Sequence, residues 1–288
     1  MRLACNDFKI TSEQELNAWL PKLDAYGLGA IAFKGSFIDE SWTVDDCYAL
    51  GEKIRKAGLV IGEFGFWENI MHPDPQERER IFERLCEVMT LAEALGARSV
   101  ITLAGTLNPD HIYGYHPYNW SEPFKEELRT LILRMLEKAK PNKIKYLLEG
   151  WSNCFLYDLE QAVAFHNSID HENYGIHLDI CNYITPMNMH DTTSLIHQAF
   201  EAYGDRIVSC HTKDIEWVPD DPLVHMRECI AGQGVLDYDT YLKHIAALPF
   251  DCTCYCEQRP DEMDYVMNFV NLHYIAERNG LRFNRRGE

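Results

Sequence analysis

The sequence predicts a single (β/α)8 barrel, on three observations. Short apolar, β-branched stretches alternate strictly with longer helical patterns, eight of each, which implies parallel strands joined by right-handed crossovers. The chain has 288 residues, near the ~250 typical of a closed barrel, and no Ser/Gly-rich linker or composition shift divides it. The first strand leads into Asn6-Asp7-Phe8-Lys9, not into the glycine-rich turn that usually opens a doubly wound sheet. One domain over residues 1–288 is therefore expected.

The elements follow in order. Arg2–Cys5 is the first strand, and Ser12–Ala25 a helix opened by the capping box Ser12-Glu13-Gln14-Glu15. Gly29–Lys34 is the second strand, followed by helix Thr43–Ala57, which Gly58 closes. Strand Leu59–Phe66 precedes the long amphipathic helix Pro75–Leu95, closed by Gly96. Strand Ser99–Ala104 precedes helix Glu122–Lys140, and strand Lys145–Glu149 precedes helix Asp158–Ser168. Strand Tyr174–Asp179 precedes helix Asp191–Tyr203. Strand Ile207–His211 is followed by an inserted loop, Asp214–Gly234, and helix Asp237–Ala247. Strand Thr253–Glu257 and helix Asp261–Asn279, closed by Gly280, complete the eight units.

Composition narrows the function. Apolar residues make up 46% and charged residues 25%, which excludes collagen-like and disordered chains. Lys and Arg total 27 against 45 Asp and Glu, a net charge of −18. Nucleic acids and anionic membranes draw their affinity from Lys and Arg, so neither is an expected partner. No apolar run approaches the roughly 18 residues of a membrane span. The start, MRLACNDFKI, lacks the apolar core of a secretory signal. Cys252, Cys254 and Cys256 alternate, as small apolar side chains on one face of a buried strand do; thiolate metal sites use C-x-x-C spacing instead. A reducing, cytoplasmic location is expected.

Active-site residues of such barrels sit at the C-terminal strand ends. The last four strands end on Glu149, Asp179, His211 and Glu257, spaced 30, 32 and 46 residues apart. The first two spacings are one strand–helix repeat each, and the third is a repeat plus the inserted loop. Pointing inward, three carboxylates and one imidazole share the barrel mouth. Carboxylates so placed repel one another unless a positive charge lies between them. Three oxygen donors and one nitrogen suit one divalent cation, Mn2+ first, then Mg2+ or Co2+, with Zn2+ also accommodated. Taken singly, each of the four also reads as a polar residue on a solvated rim.

Other residues carry two readings each. Lys213 holds a substrate oxygen or pairs with Asp214. Trp67, after Glu63-Phe64-Gly65-Phe66, lines the pocket or joins the core. His177, two residues below Asp179, supports a ligand from behind. Gly232-Gln233-Gly234 cradles a phosphate or turns the chain into the next helix.

The set Glu149, His177-Leu178-Asp179-Ile180-Cys181-Asn182, His211-Thr212-Lys213-Asp214, Gly232-Gln233-Gly234-Val235-Leu236-Asp237 and Cys256-Glu257 resembles the xylose-isomerase-like TIM barrels. Within them it is similar to the sugar phosphate isomerase/epimerase family, as is the strand entry in Gly96–Gly105. The resemblance covers essentially the whole chain. It implies a single (β/α)8 TIM barrel that binds a small-molecule carbohydrate and forms a homo-oligomer. It implies one divalent metal on Glu149, Asp179, His211 and Glu257, with Glu149 and Glu257 as the catalytic acid/base pair acting through an enediolate. Asn182 stands where many relatives carry histidine and is expected to hydrogen-bond a substrate hydroxyl. Arg227, in His225-Met226-Arg227-Glu228, replaces the Asp-x-His pair of endonuclease IV; a substrate contact is expected there instead of a three-metal phosphodiesterase site. His177 and Trp67 are further candidate substrate contacts. The aromatic stretch His111–Phe124 reads as a lid on a sugar face or as a subunit interface. A lyase or dehydratase on a keto-sugar or inosose, and a catalytically silent barrel, are the competing functions.

Overall fold

A computed structural model describes residues 1–5, 8–219 and 225–288. Asn6, Asp7 and residues 220–224 lie outside the described residues. The elements are β1 Arg2–Cys5, α1 Glu13–Tyr26, β2 Ala30–Lys34, α2 Val44–Lys56, β3 Val60–Gly65, α3 Pro75–Leu95, β4 Ser99–Leu103, α4 Glu122–Ala139, β5 Lys145–Glu149, α5 Leu159–Asn167, β6 Tyr174–Leu178, α6 Thr192–Tyr203, β7 Ile207–His211, β8 Asp214–Trp217, β9 Met226–Cys229, α7 Tyr238–Ala247, β10 Thr253–Cys256 and α8 Glu262–Arg278.

Eight of the strands form one parallel sheet in the order β1-β10-β7-β6-β5-β4-β3-β2. The edge strands β1 and β2 meet where the Gly29 N–H donates to the Leu3 carbonyl at 3.1 Å, so the barrel is nearly closed. Each of the eight helices starts on a Ser, Thr or Asp whose side chain accepts a backbone N–H of the first turn. The capping box at Ser12 is half formed. Ser12 accepts the Glu15 N–H, but the Glu15 carboxylate reaches one residue further back and accepts from Thr11 N and Oγ1. Thr43 and Asp46 of α2 make the complete box.

Two departures from simple alternation position the site. The inserted loop contains an antiparallel hairpin, β8–β9, pairing Asp214 with Cys229 and Trp217 with Met226. In β3, the register passes from Ile31↔Ile61 to Ala32↔Glu63, so Gly62 is one extra residue. A bulge of this kind inverts the alternation that follows it. Phe64 joins the main core, while Glu63 turns inward to face the strand-end donors. Only glycine fits at 62, because a Cβ there would lie 1.9 Å from Tyr255 Oη and 2.7 Å from Thr253 Oγ1. Inside the barrel Tyr255 packs against Ala4, Ala30 and Ala32. The alternate face of β10 carries Cys254 and Cys256 into the main core with Cys210 and Cys252. Among the described residues, no helix is long and apolar enough to cross a membrane.

Candidate active site

Glu149 and His211 end β5 and β7, and Asp179 and Glu257 directly follow β6 and β10. One donor atom from each of the four lies within 4.8 Å of the others, and all four residues are buried. His211 Nδ1 is 2.9 Å from Glu257 Oε1 and 3.4 Å from both Glu149 Oε1 and Asp179 Oδ2. A ring nitrogen carries at most one proton, so it serves one of the three carboxylates. The remaining carboxylate oxygens crowd the same small space with no proton between them. Local bonds set the geometry: the Cys181 N–H donates to Asp179 Oδ1 at 3.1 Å, and Tyr241 Oη donates to the His211 carbonyl at 2.9 Å.

The donor set fits a divalent cation with a preference for oxygen. The three carboxylates and the Lys213 ammonium sum to −2, which such a cation neutralises while His211 is uncharged. Without it, burial would lower the His211 pKa, but the Glu257 and Glu149 carboxylates outweigh burial and hold it well above the usual imidazole range. The two glutamates differ. Burial would raise Glu257, yet His211 and Lys213 outweigh it and keep that carboxyl well below its usual range. Burial raises Glu149, and His211 offsets this only in part.

Lys213 is buried, not a surface partner of Asp214. Its Nζ lies 2.5 Å from Glu257 Oε1, 2.9 Å from Asp179 Oδ2 and 3.7 Å from Glu228 Oε1. Burial would lower its pKa, but Asp179 and Glu257 raise it and keep it charged. The Asp214 carboxylate instead accepts the N–H groups of Ile215, Gly232, Gly234 and Leu236. Asp214 therefore fills the Gly232-Gln233-Gly234 turn that a phosphate would need.

Asn182 Nδ2 donates to Glu149 Oε1 at 3.1 Å and to the Gly150 carbonyl at 2.9 Å, and so anchors the glutamate. Trp67 lines a cavity of about 130 Å³ with Tyr113, Trp151, Glu149 and Glu257. His177 lies beneath the mouth, with Nδ1 2.7 Å from Ser209 Oγ and its ring centroid 4.0 Å from that of His211. Arg227 is not in the cavity lining: its side chain is 68% exposed and its Nε donates to Glu216 at 2.8 Å. Its neighbour Glu228 faces Lys213 instead.

Sequence reasoning missed Glu63, Trp151 and Glu228. Glu63 is buried, and burial raises its carboxyl to about 8; His211 opposes the shift while Glu257 and Glu149 add to it. The available signal was Gly62, since a glycine inside a strand often marks a bulge. Trp151 lies two residues past Glu149 and carries Lys213 Nζ 5.4 Å from its ring centroid. Tyr113 packs against it with the rings tilted by 49° and centroids 5.5 Å apart, so one end of the aromatic stretch reaches the cavity, while Tyr115 and Trp120 are exposed.

A family model described as xylose isomerase-like TIM barrel matches residues 20–273. Inosose isomerase of Bacillus subtilis (strain 168) is 27% identical over 131 residues, 45% of each chain, so the match spans under half of that relative. A xylose isomerase-like TIM barrel protein from Mycobacterium smegmatis, solved in complex with magnesium, has a TM-score of 0.67 at 16% identity and covers 95% of both chains. The probable 3-DHS dehydratase AsbF of Bacillus anthracis has a TM-score of 0.70 at 14% identity, covering 94% of this chain and 98% of that one. At these identities the two structures speak for the fold.

Proposed function

The chain belongs to the xylose isomerase-like TIM barrel family, and from that premise we propose that it is a divalent-metal-dependent isomerase or epimerase of a small carbohydrate. One observation carries the reading. A cavity of about 130 Å³ has Glu149 and Glu257 in its wall, and both belong to the convergent donor set with Asp179 and His211. Those four residues would hold the cation, Mn2+ or Mg2+ by donor chemistry, with Co2+ and Zn2+ as alternatives. When bound, it would polarise a substrate carbonyl and offset the charge that develops on that oxygen.

The chain's own residues do the rest. Glu257, paired with the Lys213 ammonium that favours its ionised form, is suited to take the proton from the carbon next to the carbonyl. Glu149, whose pKa burial raises, is suited to return a proton, and Asn182 holds its carboxylate in place. Trp67, Trp151 and Tyr113 give an apolar wall for the C–H face of a sugar and exclude water. Lys213 fixes Asp179 and Glu257 relative to each other. His177 enters this reading as a support beneath His211, and Arg227 as an exposed charge on the hairpin. A homo-oligomer that covers Tyr115 and Trp120, in a reducing cytoplasm, belongs to the same proposal.

A dehydratase would begin with the same proton abstraction and then expel a leaving group, and the likeness to a probable dehydratase keeps that second reading in view. Proton NMR in D2O with a panel of keto-sugars tests both. The isomerase reading expects solvent deuterium next to the carbonyl of a rearranged sugar. Loss of water from the product would replace it with the dehydratase. Absence of exchange in the cation-loaded protein across the panel would reject both.

A further inference from the structure

The bulge at Gly62 turns Glu63 to the barrel interior, beneath the strand-end donors. One carboxyl oxygen of Glu63 and one ring nitrogen each of His177 and His211 fall within 4.8 Å of one another, and all three residues are buried. Glu63 Oε2, His177 Nε2 and His211 Nε2 make no hydrogen bond among the described residues. Buried polar atoms without partners are uncommon in folded proteins, and three in one place call for a shared explanation.

The tautomer of His211 supplies one. Its Nδ1 faces Glu257, Glu149 and Asp179 at 2.9 to 3.4 Å. When that nitrogen is a ligand it carries no proton, so the ring proton sits on Nε2. An N–H held away from water needs an acceptor. The His177 ring does not provide it. It meets His211 at 70° with centroids 4.0 Å apart, an edge-to-face contact, and its Nδ1 is engaged by Ser209 Oγ at 2.7 Å. Glu63 Oε2 is a carboxyl acceptor in the same enclosed space.

We propose that Glu63 is a positioning residue for the cation site: its carboxyl accepts the His211 Nε2–H through one enclosed water, and so fixes the ring with Nδ1 towards the three carboxylates. This rests on the cation reading above. Metal-bound histidines generally give their second N–H to a carboxylate or carbonyl, which sets tautomer and ring orientation. The bulge then has a purpose. With Gly62 paired regularly against Ala32 instead, Glu63 would fall opposite Phe33 and face the helices, out of reach of His211.

Titration of Mn2+ into the metal-free wild type, Glu63→Gln and Glu63→Met tests the assignment. The Gln variant keeps a carbonyl acceptor and should bind within about threefold of wild type, whereas the Met variant, similar in length without one, should bind about 10–100-fold more weakly. A merely structural role would lower the unfolding temperature of both and leave the affinity of the folded protein unchanged. Equal affinity in the Met variant overturns the proposal, and so does a Gln variant as weak as Met. A wild type that binds no Mn2+ overturns the cation reading and this inference with it, so the two failures are distinct. Should the Met variant not fold, 15N-histidine-labelled wild type loaded with Zn2+ decides. A slowly exchanging proton on His211 Nε2 is expected, and a proton on Nδ1, or one exchanging freely, overturns the proposal.

Discussion

Replacing Lys213 by Met removes the ammonium that bridges Asp179 and Glu257, and its cost follows from the geometry. The ammonium lies 2.9 Å and 2.5 Å from the two carboxylates and is almost wholly out of water, so solvent screens little of the interaction. Breaking a buried ion pair by removing one partner costs about 3–5 kcal/mol. His211 still faces both carboxylates at 3.4 Å and 2.9 Å, which places the loss at the lower end, about 3 kcal/mol. At roughly 2 °C per kcal/mol for a chain of this size, the thermal midpoint in EDTA falls by about 6 °C. Adding Mn2+ raises the midpoint of the variant more than that of wild type, because the cation meets one more unbalanced negative charge. Arg227→Ala is the control: its pair with Glu216 is exposed and worth under about 1 kcal/mol. A Lys213→Met loss no larger than that control would refute the buried bridge.

Other outcomes follow from the same geometry. Glu149→Gln and Glu257→Gln should each lower turnover by about 10²-fold or more while retaining part of the metal, read as deuterium exchange into substrate. Wild-type exchange rates in both would leave the glutamates as ligands only. His211 has a raised pKa in the metal-free protein and must lose its proton to coordinate, so calorimetry in buffers of different ionisation heat should show close to one proton released per cation near pH 7. The sign for the metal-free fold is opposite: the His211 contribution is fully present below the unfolded value of about 6.5 and fades as pH rises through the folded one, so flat stability across that window would contradict the shift. Gly62→Ala drives a methyl into Tyr255 and should cost about 1–3 kcal/mol in urea unfolding; a neutral effect would mean that the bulge relaxes freely. Light scattering should show a mass above 33.4 kDa, and a clean 33.4 kDa species would reject the homo-oligomer.

The barrel and its strand ends were legible because two local signals agree. Period-two apolar stretches locate strands, and the last residue of a barrel strand faces the mouth; Glu149, Asp179, His211 and Glu257 follow directly. What stayed hidden depends on contacts between distant segments. The β8–β9 hairpin has four-residue strands, Asp214–Trp217 and Met226–Cys229, too short and too charged for a pattern to stand out. That hairpin turns Glu228 to Lys213 and Arg227 to solvent, a choice of face that spacing alone leaves open. The Gly232-Gln233-Gly234 stretch reads equally as an anion cradle or a plain turn until Asp214, twenty residues before Gly234, is seen to fill it. Glu63 stayed hidden because regular alternation through Gly62 would turn it outward, and the side chain that admits only glycine there, Tyr255, is far away in the chain.

Anomalous diffraction from crystals grown with Mn2+ tests the central claim most directly. One peak is expected per chain at the barrel mouth, with oxygens of Glu149, Asp179 and Glu257 and the Nδ1 of His211 at about 2.0–2.2 Å. Asp179→Asn crystals should lose it. A peak held by other residues, or none at saturating Mn2+ with the four side chains still converged, would contradict the account.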